Sequence, residues 1–154
     1  MSNTDFAFIE GRWRSKQRRL VEVLSGSDEW YEFDAFLEAG VHLNGTCTLD
    51  VLRAPERDIE GITLRLFSTS EQVWRIWWAT EATDGYLGEP PVVGTFDGPV
   101  GTFEADEVWN GRPIRVRYQW LDTDTPNPRW EQSFSIDGGA TWEVNWKAVF
   151  ERAD

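Results

Sequence analysis

Apolar side chains recur along this chain at a spacing of two far more often than at the spacing of an amphipathic helix. Ile114, Val116, Tyr118 and Trp120 alternate with Arg115, Arg117 and Gln119, and Trp130, Gln132, Phe134 and Ile136 alternate with Glu131, Ser133 and Ser135. The last segment sets Trp142, Val144, Trp146, Ala148 and Phe150 against Glu143, Asn145, Lys147 and Glu151, with Val149 as the exception. In an extended strand successive side chains point to opposite faces, so each segment presents one apolar face to an interior and one polar face to water. Glycine and proline interrupt the chain before any helix of useful length can form. The segments between these breaks predict ten strands: Arg12 to Leu24, Glu29 to Leu37, Gly45 to Arg53, Ile62 to Ser68, Val73 to Thr80, Val92 to Asp97, Gly101 to Val108, Pro113 to Leu121, Arg129 to Ile136 and Thr141 to Arg152. The short turns between them predict an antiparallel meander, and closing a meander of eight to ten strands removes its exposed edges. The expectation is an all-β chain forming a single up-and-down barrel over residues 1–154, with residues 1–10 as an N-terminal plug.

Two segments depart from this pattern. In Val73 to Thr80, Trp74, Ile76 and Trp78 alternate with Val73, Arg75, Trp77 and Ala79, so both faces carry bulk and the outer one needs a cover or another chain, such as a homodimer partner. At the start, Thr4 or Asn3 is placed to cap a short turn from Asp5 to Ile9 whose Phe6, Phe8 and Ile9 would plug one barrel end.

Charge narrows the partners. The 154 residues hold 27 acidic and 15 basic side chains, a formal charge of −12, which repels a phosphate backbone and argues against nucleic acid. No apolar run is long enough to span a bilayer as a helix, and Met1 to Gly11 lacks the basic-then-apolar order of a leader, so the expectation is a soluble, cytoplasmic chain without membrane contact. Cys47, the only cysteine, cannot form an internal disulfide; with Leu49 and Val51 on one strand face it reads as a buried, inert thiol. One Cys and one His do not make a zinc shell, so no metal and no cofactor are expected. Ten tryptophans stand out, each with a large apolar face and an N–H that needs a partner once buried.

Gly11-Arg12-Trp13, after a short apolar turn, resembles the G-x-W that opens the first strand of lipocalins and other calycin barrels. The resemblance implies that Trp13 seals the closed barrel end and that Arg152, on the last strand, lies over its ring. Arg18-Arg19-Leu20, Leu64-Arg65-Leu66-Phe67, Trp74-Arg75-Ile76-Trp77-Trp78, Gly111-Arg112-Pro113-Ile114 and Arg129-Trp130-Glu131-Gln132-Ser133-Phe134-Ser135 extend it. Over Phe6 to Arg152 the chain looks like an uncharacterised bacterial family of calycin-like, lipocalin-like barrels, with fatty-acid-binding proteins and nitrobindins as relatives by fold. That resemblance implies the barrel and brings no settled activity.

Ser135-Ile136-Asp137-Gly138-Gly139-Ala140-Thr141-Trp142 matches the S-x-D-x-G-x-T-W Asp-box of sialidases and other β-propellers, but the chain is too short for a propeller. Here it reads as a hairpin staple in which Asp137 accepts backbone N–H bonds inside the turn.

Candidate chemistry is sparse. Alternation puts Arg19 on the inner face with Trp13 and Val21, where a guanidinium needs either a carboxylate, from Asp34, Asp50 or Glu107, or an anionic ligand. His42 at a barrel mouth would serve as a general base or a haem ligand, and Glu107 inside an apolar barrel would have a raised pKa and act as an acid. No nucleophile elbow, phosphate loop or Ser-His-Asp spacing is present. The leading expectation is non-catalytic binding of a small apolar or aromatic molecule, with Trp77, Tyr118, Trp120, Trp130 and Trp146 as walls and Arg19 as anchor. The alternatives are a cofactor-free cyclase or isomerase acting on a secondary metabolite through His42 or Glu107, haem binding through His42, and a homodimeric module using Val73 to Thr80.

Overall fold

The computed structural model describes residues 4–153. Ten antiparallel strands run in chain order: β1 (Gly11–Leu20), β2 (Trp30–His42), β3 (Cys47–Ala54), β4 (Ile59–Ser68), β5 (Val73–Thr80), β6 (Val92–Asp97), β7 (Val100–Trp109), β8 (Arg112–Leu121), β9 (Arg129–Ser135) and β10 (Glu143–Arg152). Each pairs with its sequence neighbours and β1 pairs with β10, so the sheet closes into a barrel. Among the described residues helical geometry is limited to single 3-10 turns at Ala7–Ile9, Pro55–Arg57 and Glu81–Thr83, while Leu43–Gly45 form a turn with positive φ.

Closure joins the first and last strands from Trp13 opposite Arg152 to Arg19 opposite Trp146, while β5 and β6 pair only from Trp74 to Ile76. Where these strands start, the 3-10 turn folds inward. Phe6 meets Trp74 edge to face at 4.9 Å and Phe96 at 4.9 Å, and lies stacked near Phe103 at 5.8 Å. Phe6, Ile9, Trp13, Trp74 and Phe103 are all buried. Burying an aromatic side chain removes 150–250 Å² from water, about 4–6 kcal/mol at 25 cal/mol per Å², so several such rings contribute strongly at this end. Arg152 closes it from outside. Its guanidinium lies 3.9 Å from the Trp13 ring centroid and donates to the carbonyls of Phe8 and Glu10. Gly11 is required at this point, since its φ of +118° is unfavourable for other residues and a Cβ would collide with the Arg152 guanidinium.

The differences from expectation are local. β1 stops at Leu20 rather than Leu24, because Val21 to Glu29 form a loop whose Leu24 N–H donates to Glu143 at 2.8 Å. β2 continues to His42, five residues beyond Leu37, because Ala39 and Val41 keep pairing with β3. β4 begins at Ile59, and β10 begins at Glu143. The first turn spans Ala7–Ile9 with Phe6 at its N-cap and no side-chain cap bond; Asn3 lies outside the described residues.

Two differences change which side chains face inward. A bulge between Val144 and Trp146 inserts Asn145 as an extra residue, so Trp146, Ala148 and Phe150 point inward while Val144 sits opposite the outward Ser133. Trp142 therefore lies outside, where the Arg117 guanidinium covers its ring at 4.1 Å. The second difference concerns β3 and β4. The apolar set Cys47, Leu49 and Val51 faces outward, beside Leu66, Leu64 and Ile62, while Thr48, Asp50, Thr63 and Arg65 face inward. Cys47 is buried as expected, and burial pushes its thiol pKa up, but it lies on the outer side of the wall.

The Asp-box forms the expected staple. Asp137 accepts from the Thr141 N–H at 2.9 Å and the Thr141 hydroxyl at 2.5 Å, while Ser135 Oγ donates to Asp137 at 2.7 Å and accepts from the Gly139 N–H at 2.9 Å. These bonds favour the ionised carboxylate and bring its pKa down to about 2.

Candidate functional site

Above the plug the barrel holds a cavity of about 90 Å³. Its apolar walls come from Leu37 and Leu52 on one side and from Ile76, Trp78, Trp120, Trp130, Trp146 and Phe150 on the other. The polar lining comes from Gln17, Asp50, Thr63, Arg65, Tyr118 and Gln132. Alternation accounts for the placement: Trp120 pairs with Trp130, and Tyr118 with Gln132, in one inward register across β8 and β9. Tyr118 meets Trp130 at 5.2 Å and Trp130 meets Trp146 edge to face at 5.4 Å, a continuous aromatic wall.

The polar groups are mostly tied down. Trp146 donates its indole N–H to Gln17 at 2.6 Å, Gln17 donates to Ser15 at 3.1 Å, and Ser15 donates to the Val149 carbonyl at 3.0 Å. Gln132 donates to Asn145 at 2.9 Å, which anchors the bulge. On the opposite wall Arg65 Nη1 donates to Asp50 at 2.7 Å and to Thr48 at 3.2 Å. This ion pair is almost fully buried, with side chains 5% and 1% exposed. Burial pushes the Asp50 pKa up, and the Arg65 charge and hydrogen bonds from Arg65 and Thr63 pull it back. Arg65 also lies 4.9 Å from the Phe6 ring centroid and 5.8 Å from that of Trp120, so it connects the plug to the cavity.

The candidate residues separate clearly. Tyr118, Trp120, Trp130 and Trp146 line the cavity together. Trp77 does not. It pairs with the outward Leu64, and its indole N–H donates to Glu89 at 3.1 Å on the outer surface; Trp78, one residue on, takes the inward position. The odd-even assignment of this strand could not be read locally because both of its faces are apolar. Arg19 is half-buried and faces inward opposite Tyr31, but its partner is neither Asp34, which pairs with Lys16, nor Asp50, which pairs with Arg65. It stacks on the Trp146 ring at 4.1 Å and makes no ion pair among the described residues. His42 is exposed on the outer side of β2 at the plugged end, packed beside Gly40, so it reaches neither the cavity nor a barrel mouth. Glu107 is half-buried on the same side of β7 as Phe103, and burial pushes its pKa up. The Glu107 charge and, more strongly, burial raise the Tyr118 pKa well above its ordinary value.

Alternation does not reveal the ion pair of Arg65 and Asp50, although it offers Asp50 as a partner for Arg19. The available signal was a charge at the centre of each of two adjacent candidate strands, which a closed sheet brings together only once the register is known.

No family model matches the chain, and no curated protein matches it. Among solved structures, the chain is similar to the S-type phycobiliprotein lyase CPES from Guillardia theta, with a TM-score of 0.58 at 9% identity, covering 100% of this chain and 94% of that one. At that identity the likeness is one of fold, a closed antiparallel barrel.

Proposed function

We propose that this barrel binds a small apolar or aromatic molecule in the cavity above its plug. The supporting observation is the aromatic wall of Tyr118, Trp120, Trp130 and Trp146 facing a polar wall of Asp50 and Arg65. A concave, mostly apolar space with a few fixed polar groups is the usual form of a small-molecule site. Its volume selects a small guest. The cavity of about 90 Å³ corresponds to about three waters at ~30 Å³ each, so a single-ring compound enters only if a wall gives. Trp78 is suited to give, because it is half-buried and its indole N–H has no acceptor among the described residues. The likeness to a phycobiliprotein lyase is one of fold and identifies no ligand.

The test is a toluene titration followed by tryptophan emission. Saturable quenching is expected, and the cavity-filling variant Thr63→Leu should abolish it with the circular dichroism spectrum unchanged. Quenching that is linear in toluene, or equal in the filled variant, would refute an internal site.

A second reading, acid–base chemistry on a bound substrate, draws on Glu107, an inward carboxyl whose raised pKa suits proton donation although it lies outside the residues that line the cavity. Any such turnover should disappear in Glu107→Gln. The corresponding roles for His42, as base or haem ligand, draw no support from its exposed position on the outer wall.

A further inference from the structure

The cavity has a surplus of hydrogen-bond donors, and we infer that it recognises its guest through a neutral carbonyl oxygen on a small ring. This rests on the reading of the cavity as a ligand site and specifies the chemistry of the ligand.

Arg65 is the main observation. Its Nη1 is committed to Asp50 and Thr48, its Nε is buried with no acceptor, and its Nη2 makes no hydrogen bond among the described residues, on a side chain only 5% exposed that lines the cavity. A buried guanidinium with unmatched N–H groups is costly, and a bound acceptor that meets Nη2 lowers that cost. Tyr118 adds a second donor. Its hydroxyl has no hydrogen bond among the described residues, and its raised pKa keeps it protonated at neutral pH. The indoles of Trp120 and Trp130 add two more, since neither N–H meets an acceptor among the described residues, unlike Trp13, Trp74, Trp77 and Trp146.

Acceptors in the same space are largely spent. Asp50 is engaged by Arg65 and Thr63, and the Gln17 carbonyl by Trp146, which leaves the oxygens of Gln132 and Thr63. A guest that brings an acceptor therefore completes the site, and a guest that brings only carbon leaves it open.

Charge decides what kind of acceptor. Asp50 already neutralises Arg65, so a carboxylate ligand would set a second buried anion beside Asp50, with Glu107 also acting on Tyr118. A ketone, aldehyde or amide oxygen takes the same donors without that penalty.

Three probes of one ring and nearly one shape separate the outcomes: acetophenone, α-methylstyrene, in which CH₂ replaces the oxygen, and benzoate. Binding to the full chain at pH 7 is read by tryptophan emission and calorimetry. Acetophenone should bind about tenfold more tightly than α-methylstyrene, the yield of roughly one hydrogen bond to a charged donor, and more tightly than benzoate. Tyr118→Phe, which keeps the ring, and the double variant Arg65→Met with Asp50→Leu, which leaves no orphaned charge, should each reduce that preference while leaving α-methylstyrene binding in place. Equal binding of acetophenone and α-methylstyrene would overturn the carbonyl inference and leave the cavity reading intact. Tightest binding by benzoate would overturn it in favour of anion recognition, and binding by none of the three would remove the cavity reading itself.

Discussion

The two ends of the barrel are built from the same kinds of residue in opposite ways. At the plugged end the N–H groups of two buried tryptophans are matched, Trp13 to the Ile9 carbonyl at 2.8 Å and Trp74 to Asp5 at 3.1 Å, and the rings interlock around Phe6. At the other end Arg19 and Arg57 lie over the rings of Trp146 and Tyr31, neither has an ion pair among the described residues, and Trp78 and Glu107 are only half-buried. Packed aromatic clusters resist opening because each ring holds several others, whereas cations resting on rings near water are held by about 0.5–1 kcal/mol each. One end is closed by interlocked rings, and the other is only partly covered.

The largest test of that contrast is Phe6→Ala, which should cost about 3–5 kcal/mol in denaturant unfolding by leaving a void among Trp74, Phe96 and Phe103. A loss below 1 kcal/mol would mean that the plug is an accessory. Arg152→Ala should cost less, about 1–2 kcal/mol, by uncovering Trp13 and freeing two carbonyls. The smallest effect is expected at the open end and depends on pH. Burial raises the folded-state pKa of Glu107 above its ordinary value of 4.5, so the folded protein binds this proton more tightly than the unfolded chain. Stability from this group is complete below about pH 4.5 and is lost as pH rises through the folded pKa. Glu107→Gln should therefore raise Tm at pH 7 and leave it unchanged near pH 4. A Tm gain of equal size at both pH values would show that the effect is not protonation.

Much of the architecture was legible from alternation alone. β8 and β9 face inward as their spacing requires, because each has one apolar face and its neighbours agree. Trp13 under Arg152 and the Asp137 staple were likewise visible, being local or bound to strand ends. What was hidden depends on partners far along the chain. Asp50 is offered by the sequence as a partner for Arg19, and only the register of β3 and β4 sets it beside Arg65, with Leu49 and Leu64 turned outward. Trp142 was placed on the inner face because a count of two passes through Asn145 unbroken, whereas the bulge there reverses it. Trp77 and Trp78 sit on a strand whose two faces are equally apolar, so only the register of β4 and β5 separates them.

Gly61 lies under the six-membered ring of Trp78, in space that a Cβ would fill. The shape of the cavity wall at this point thus depends on a missing methyl group. A Gly61→Ala change would act as a wedge beneath that indole and displace a side chain that lines the cavity, altering the space inside while leaving its polar groups as they are.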